Sequence, residues 1–354
     1  MRSPSARRFR ATGRRSEGSA LLRAPQHRGS VTEILRRAVA LPLLACLASA
    51  GCLTVQLFGG TPEPLVETVI YGESGPKIVL IDIDGVISES SDDRRLLGPS
   101  EESMVARVRE QLDRARDDSS VRAVLLRINS PGGTVTASDI IYQELMRFKR
   151  DRGVPVVAQL MGVAASGGYY VAMAADELIA QPTGITGSIG VIFVGVNVSG
   201  LMKKFGVEDQ TLTAGAQKDA GSWLRPMQPA EREHLQSVLD DMHERFKQIV
   251  AAGRHGLHRA RIDELADGRI YSASQAKANG LVDGLGDLEE TVAAAQRRAG
   301  LASARVVIYH RPREYRQNLY TQAPPAPNLL RLELAPSLPL ARPGFLYLWA
   351  PGLP

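Results

Sequence analysis

The feature that most constrains the fold of this chain is the regular alternation of strand-like and helix-like segments between residues 77 and 303. Short apolar, β-branched runs predict buried strands, and apolar residues three or four apart predict amphipathic helices. Such alternation is typical of an α/β domain with a mainly parallel sheet. The predicted strands cover residues 77–87, 121–128, 154–160, 176–181 and 187–196. The predicted helices cover residues 101–118, 137–150 and 229–253, and residues 272–300 predict a helix, a short strand and a helix.

Two glycine pairs follow predicted strands, Gly132-Gly133 in "NSPGG" and Gly167-Gly168 directly after Ser166. Ligands of α/β sheets bind beyond the carboxyl ends of the strands. Glycine lets backbone N–H groups approach a ligand closely, and a helix start adds a partial positive charge. The turns could therefore supply two donors to an oxyanion beside a nucleophilic Ser166. The alternative is close helix–strand packing, which needs small residues and no chemistry.

A serine nucleophile needs a base, which is a histidine or a lysine in known peptidases. Four histidines lie in or just after the long polar helix, where we expect solvated surface: His234, His243, His255 and His258. Lysine is scarce, with seven lysines against 36 arginines, and Lys218 stands among small residues in a predicted loop. Its amine accepts a proton only when uncharged, and burial favours the uncharged form. The carboxylate of Asp219 should therefore point away from it.

The positive charge of the chain is concentrated at its N-terminus. The net charge is +5, but residues 1–40 hold ten arginines against Glu17 and Glu33, so the rest of the chain is mildly acidic and no nucleic-acid partner is expected. The uncharged apolar run of residues 38–60 predicts either a membrane anchor or a lipoprotein signal that ends in Ala50-Gly51-Cys52, with Cys52 as the lipid-bearing residue. We expect translation to begin at Val31, and residues 1–30 to be an artefact of start-site choice.

These observations divide the chain into four parts. A basic region spans residues 1–37, the apolar signal or anchor residues 38–60, the α/β domain residues 61–310 and a tail residues 311–354. The tail holds nine of the 21 prolines, which predicts extended segments. It ends in the apolar sequence "GFLYLWAPG", which we expect to pack on the domain or on a neighbouring subunit.

Three motifs resemble the signal peptide peptidase A family in its short, single-domain bacterial form: "RINSPGGTVTASDIIYQEL", "GVAASGGYYVAMAADELIAQPTGITGSIGVI" and "TAGAQKDAGS". The resemblance implies a ClpP/crotonase-like fold and a Ser/Lys dyad peptidase that cleaves signal peptides, without a cofactor or metal. Ser166 would be the nucleophile, Lys218 the general base and Ser188 a hydrogen-bond partner of the lysine. The oxyanion donors implied by the family's motif would be Gly133 and Gly167, with Gly132 as the less certain neighbour.

The same resemblance implies partners and a location. Members of the short form assemble as ring-like homo-oligomers in which adjacent subunits supply the serine and the lysine of one site. The catalytic domain would lie on the extracytoplasmic side of a bacterial cell envelope, at the membrane. Two alternatives remain open from the residues: a crotonase-type acyl-CoA enzyme and a non-catalytic membrane-bound scaffold. The Ser166/Lys218 pair and the export signal argue against the first alternative, and the intact Ser166/Lys218 pair argues against the second.

Overall fold

The computed structural model describes residues 63–90, 102–312, 314, 316–321, 345–349 and 351. These residues all belong to the compact unit Leu57–Pro354. Their strands are β1 Val66–Tyr71, β2 Lys77–Asp84, β3 Val121–Ser130, β4 Gly132–Thr134, β5 Val156–Ala165, β6 Glu177–Ala180, β7 Ile185–Gly187, β8 Ile192–Phe193, β9 Ile270–Ser272, β10 Gly284–Leu285, β11 Arg305–His310 and β12 Phe345–Leu348. Their helices are α1 Met104–Asp117, α2 Val135–Arg152, α3 Gly167–Ala172, α4 Ser199–Phe205, α5 Pro229–Gly253, α6 Arg259–Leu265, α7 Ala273–Ala278 and α8 Leu288–Arg298.

The main sheet has the strand order β1-β11-β2-β3-β5-β6-β10, and β7 extends the far end of β5. Every pair from β11 to β10 is parallel, and β1 closes one edge in the antiparallel sense. The central strands are buried along nearly their whole length. Continuous apolar strands are expected where helices cover both faces of a parallel sheet.

Both faces of the sheet carry an apolar core. Val79 and Ile81 of β2 join one cluster, which packs beneath α1, α2, α3 and α5. Ile78 and Leu80 point the other way into a second cluster with α8. Successive strand residues point to opposite faces, so a single apolar strand supplies both cores.

The predicted α/β class with a mainly parallel sheet is confirmed, and most predicted elements are present. One prediction is wrong, because the strand expected over residues 187–196 is interrupted after Gly187. Ser188 adopts a positive φ of 51°, which ends β7, and β8 begins only at Ile192 and belongs to a second sheet. Strands β1, β4, β9, β11 and β12 were not predicted either.

A buried ionic cluster ties the start of the tail to the sheet. Arg127 of β3 forms a two-point ion pair with Asp82 of β2, with Nε–Oδ1 and Nη2–Oδ2 distances of 2.6 and 2.7 Å. Arg316 approaches the same carboxylate at 2.7 Å. Arg127 also donates to the carbonyl oxygens of Leu319 and Thr321. The chain is therefore fixed to the domain as far as Thr321.

A second, three-stranded sheet lies at the end of the tail. Strand β12 pairs with β4 on one side and with β8 on the other, antiparallel to both. Residues 322–344, and with them most of the predicted extended tail, lie outside the described residues. The predicted anchor at residues 38–60 also lies outside them. Among the helices that are described, none combines the length and the apolar character needed to cross a membrane.

Candidate active site

Ser166 stands at an abrupt strand-to-helix junction. Strand β5 ends at Ala165 and helix α3 begins at Gly167, so Ser166 alone makes the turn, with φ 51° and ψ −116°. A non-glycine residue with such angles costs about 1–3 kcal/mol and persists only where its surroundings enforce it. Here the enforcing contacts are its N–H, which donates to the Gly187 carbonyl at 2.8 Å, and its carbonyl, which accepts from Tyr170 N–H at 2.8 Å.

The Ser166 side chain is available to contact a substrate. The residue is only 1% exposed, and its hydroxyl forms no hydrogen bond with any residue that the structure describes. Strained backbone at a strand end, together with an unpaired hydroxyl, is a pattern that enzyme nucleophiles share. The serine singled out from the sequence therefore stands where a nucleophile is expected.

Ser188 occupies the matching position on the neighbouring strand. The parallel register of β5 and β7 places Ala165 opposite Gly187, so Ser166 and Ser188 follow the two strands side by side. Ser188 is buried, has the same φ of 51° and donates its N–H to the Arg269 carbonyl at 2.8 Å. These two serines are the only non-glycine residues with positive φ in the described part of the chain.

The glycine turns converge on the same edge of the sheet. A Cβ on Gly132, whose φ is +101°, would lie 2.7 Å from the Gly167 nitrogen, and one on Gly167 would lie 3.1 Å from the Gly132 Cα. A Cβ on Gly133 would lie 1.9 Å from the carbonyl oxygen of Ile87. Glycine is required at all three positions because backbone segments meet there without room for a side chain. The three predicted oxyanion residues are thus brought together beside Ser166.

Lys218 makes no hydrogen bond to Ser166 within one chain. It is exposed, stands in a series of turns between α4 and α5, and forms no ion pair or side-chain hydrogen bond with a described residue. The expectation that Asp219 points away is confirmed, since its carboxylate pairs with Arg225 at 2.8 Å. That hydrogen bond also lowers the pKa of Asp219 below its usual range. Arg225 in turn pairs with Glu231 of α5.

The segment that carries Lys218 is poorly packed. Helix α4 has no buried residue, and large apolar side chains along the segment are more than half exposed: Val196, Leu201, Phe205, Val207, Leu212 and Trp223. Leu212 is 97% exposed. Single exposed apolar side chains are ordinary, but so many within one segment are typical of an interaction surface. We call residues 194–228 the arm.

A cavity of about 280 Å³ opens beside Ser188. Ile192 of β8, His243 of α5 and Leu348 of β12 are among its lining residues. The prediction that His243 lies on solvated surface is wrong, because the residue is half-buried and its Nε2 is buried without a hydrogen-bond partner among the described residues. The other three histidines of that group are exposed. The sequence carries no signal for this cavity, since α5 has the pattern of a polar surface helix.

No group of three or more His, Cys, Asp or Glu side chains that could hold a metal ion occurs among the described residues. The described residues offer a hydroxyl on a buried serine, close backbone amides and a cavity with both polar and apolar lining. This set suits acyl transfer, in which a nucleophile attacks a carbonyl and backbone donors bind the oxyanion.

The comparisons with known proteins agree with this class of chemistry. Residues 148–302 match the model of peptidase family S49, and residues 86–183 match that of the Clp protease. An Enterococcus faecium protein named as a candidate signal peptide peptidase SppA is 36% identical over 254 residues, covering 72% of this chain and 73% of that protein. Protease 4 of Haemophilus influenzae is 32% identical over 82% of this chain and 46% of its own length. The chloroplastic serine protease SPPA of Arabidopsis thaliana is 32% identical over 54% of this chain and 28% of its own length.

The fold and the site thus define a serine-type peptidase with a Clp-like α/β domain. More particularly, the chain belongs to peptidase family S49, the signal peptide peptidase family. The peptidase interpretation is confirmed over the acyl-CoA enzyme and the inert scaffold. The chain spans less than half the length of the two longer relatives, so it corresponds to one portion of each.

We expect Gly133→Ala to reduce kcat/KM for a peptide substrate by roughly 10²-fold or more, the effect of losing one oxyanion donor. The added methyl group would collide with the Ile87 carbonyl and push the β4 backbone away from the site. Gly162→Ala on β5 is the matched control, because its Cβ would meet only the Asn129 side chain at 3.7 Å. Equal activity of Gly133→Ala and the wild type would show that this close approach is not needed for catalysis.

Proposed function

We propose that this chain is an endopeptidase that cleaves signal peptides and similar membrane-released peptides, with Ser166 as nucleophile and Lys218 as general base. The observation that carries the proposal is the strained, buried Ser166 with an unpaired hydroxyl beside three obligatory glycines. The substrate class is supported by the name of the Enterococcus faecium relative.

In the proposed reaction the Ser166 Oγ attacks the scissile carbonyl while the Lys218 amine takes the hydroxyl proton. The backbone N–H groups of Gly133 and Gly167, with Gly132 shaping the turn, receive the oxyanion. Collapse of the tetrahedral intermediate breaks the C–N bond, and the Lys218 ammonium returns the proton to the leaving amine. Water then hydrolyses the Ser166 ester by the same base. Ser188, which follows β7 beside Ser166, would hydrogen-bond the amine.

The exposure of Lys218 supports a site shared between subunits. A general base must be uncharged and burial favours the uncharged amine, so the exposed Lys218 needs to be covered before it can function. The arm that carries it exposes large apolar side chains that one subunit leaves uncovered. We propose that the arm packs on a second copy of the chain and delivers Lys218 to that copy's Ser166. The same contact would bury the apolar surface and the amine together.

We expect Lys218→Arg to lower activity by roughly 10²–10⁴-fold, the usual contribution of a general base. The guanidinium stays charged and cannot accept the serine proton. Cleavage of a fluorogenic peptide would measure the loss, and thermal unfolding would show that the fold is retained. Lys204→Arg, an exposed lysine of the same arm, is the matched control and should keep wild-type activity. Substantial activity of Lys218→Arg would remove this residue from the mechanism.

The shared site predicts that two inactive variants restore each other. If Ser166→Ala and Lys218→Ala subunits co-assemble at random from equal parts, about one site in four combines an intact serine with an intact lysine. Activity should then return to about a quarter of the wild-type value, by the same counting. Differently tagged subunits would prove co-assembly. A co-assembled mixture without activity would show that each site belongs to one subunit.

We further propose that residues 38–60 hold the protein at a bacterial membrane with the catalytic domain on the extracytoplasmic side. Support comes from the uncharged apolar run and the arginines before it. Mass spectrometry of the membrane fraction should recover no peptide from residues 1–30. It should show either a lipid-modified N-terminal Cys52 or an unmodified peptide across residues 43–60. Residues 1–30 at normal abundance would contradict the internal start, and a wholly soluble protein would contradict the anchor.

A further inference from the structure

The end of the tail lies on the strand that carries the candidate oxyanion glycines. In the antiparallel pairing of β12 with β4, Tyr347 stands opposite Gly133 and Leu348 opposite Gly132. On its other side β12 pairs with β8, where Leu346 stands opposite Ile192. Extended peptides bind to sheet edges by the same kind of strand addition, in which main-chain hydrogen bonds give affinity and side-chain pockets give specificity. Strand β12 thus fills the gap between β4 and β8 that a peptide would enter.

The backbone of β12 reaches the glycine turns themselves. A Cβ on Gly132 would lie 1.9 Å from the Tyr347 carbonyl oxygen, and one on Gly167 would lie 3.1 Å from the same oxygen. The N–H of Trp349 donates to the Pro131 carbonyl at 2.8 Å. The Tyr347 carbonyl therefore stands against the turns on both sides of Ser166, where a scissile carbonyl would have to approach.

The side chain of Tyr347 fills an aromatic pocket. Its ring is fully buried, stacks on Tyr170 of α3 with centroids 5.1 Å apart, and contacts Phe246 of α5 at 4.8 Å. Its hydroxyl donates to the Met242 carbonyl at 2.7 Å. Aromatic pairs and a satisfied hydroxyl give such a buried tyrosine a defined position. The next residue, Leu348, lines the cavity beside Ser188.

We propose that residues 345–348 are an internal ligand of the peptide-binding groove, which occupies the place of a substrate and competes with it. The inference rests on the proposed function, because it takes the gap between β4 and β8 as the substrate groove. It also defines a preference: a peptide that displaces β12 must offer an aromatic side chain to the pocket of Tyr170 and Phe246.

The covalent connection between β12 and the domain makes this competition effective. The ionic cluster around Asp82 fixes the chain as far as Thr321, and residues 322–344 connect it to β12. That connection spans at most about 80 Å even when fully extended, so β12 remains within that distance of the domain when it leaves the groove. A ligand held in this way acts at an effective concentration of up to about the millimolar range. Substrate must compete with it, which raises KM and leaves kcat unchanged.

The first test compares the full-length protein with a chain that ends after Thr321 and with Tyr347→Asp. We expect both changes to lower KM for an aromatic-containing peptide by about tenfold or more, with kcat nearly unchanged. Tyr320→Ala, at an exposed tyrosine near the start of the tail, is the matched control and should behave as the wild type. A synthetic peptide of residues 344–351 should inhibit the shortened chain competitively, and the same peptide with Asp in place of Tyr347 should not. An unchanged KM in the shortened, active chain would overturn the proposal.

A binding measurement separates this inference from the proposed function. In Ser166→Ala chains no cleavage is expected, and a fluorescent peptide of residues 344–351 reports only whether the groove is open. It should bind the shortened Ser166→Ala chain and be excluded from the full-length one by at least about tenfold in affinity. Equal binding to both would overturn the internal ligand even if the peptidase is active. Selective binding, with no cleavage by any chain, would sustain the internal ligand and refute the catalytic assignment.

Discussion

The site depends on one constraint, the approach of backbone segments at distances that leave no room for a Cβ. Gly132, Gly133 and Gly167 sit where the ends of β3 and β5 meet Ile87 and the start of α3. Because only glycine fits, backbone N–H groups rather than side chains line the place where Ser166 presents its hydroxyl. A parallel sheet brings this about, since the carboxyl ends of its strands meet at one edge and their loops gather there.

The second constraint is the register between β5 and β7. Gly187 accepts a hydrogen bond from the Ser166 N–H, and that bond fixes a backbone conformation that serine otherwise avoids. The same register places Ser188 beside Ser166. Strain at Ser166 is therefore maintained by strand pairing and by the buried α3 that follows. Ser166, the proposed nucleophile, is therefore held between paired strands and a buried helix.

Features that depend only on the local sequence could be predicted from it. The glycine pairs, Ser166 and the long α5 were visible as motifs or periodic patterns, and the helix predicted over residues 229–253 has those bounds in the structure. Contacts between distant segments were not visible. His243 has the sequence context of a polar surface helix, yet its ring lines a cavity because β12, about a hundred residues later, packs beside α5. The break at Ser188 was missed as well, since a positive φ at serine follows from strand pairing rather than propensity.

The parts of the proposed machinery differ in how firmly they are held. The nucleophile and the oxyanion glycines belong to the buried sheet, whereas Lys218 stands on an arm that buries almost nothing within one subunit. The groove in turn is filled by a strand joined to the domain through a long connection. A chain built in this way has its bond-cleaving geometry preformed but lacks a covered base and an open groove. Assembly would cover the base, and displacement of β12 would open the groove. Cleavage would therefore require both an oligomer and a peptide able to compete for the aromatic pocket. Both requirements would restrict cleavage to short, extended segments that can enter as a strand.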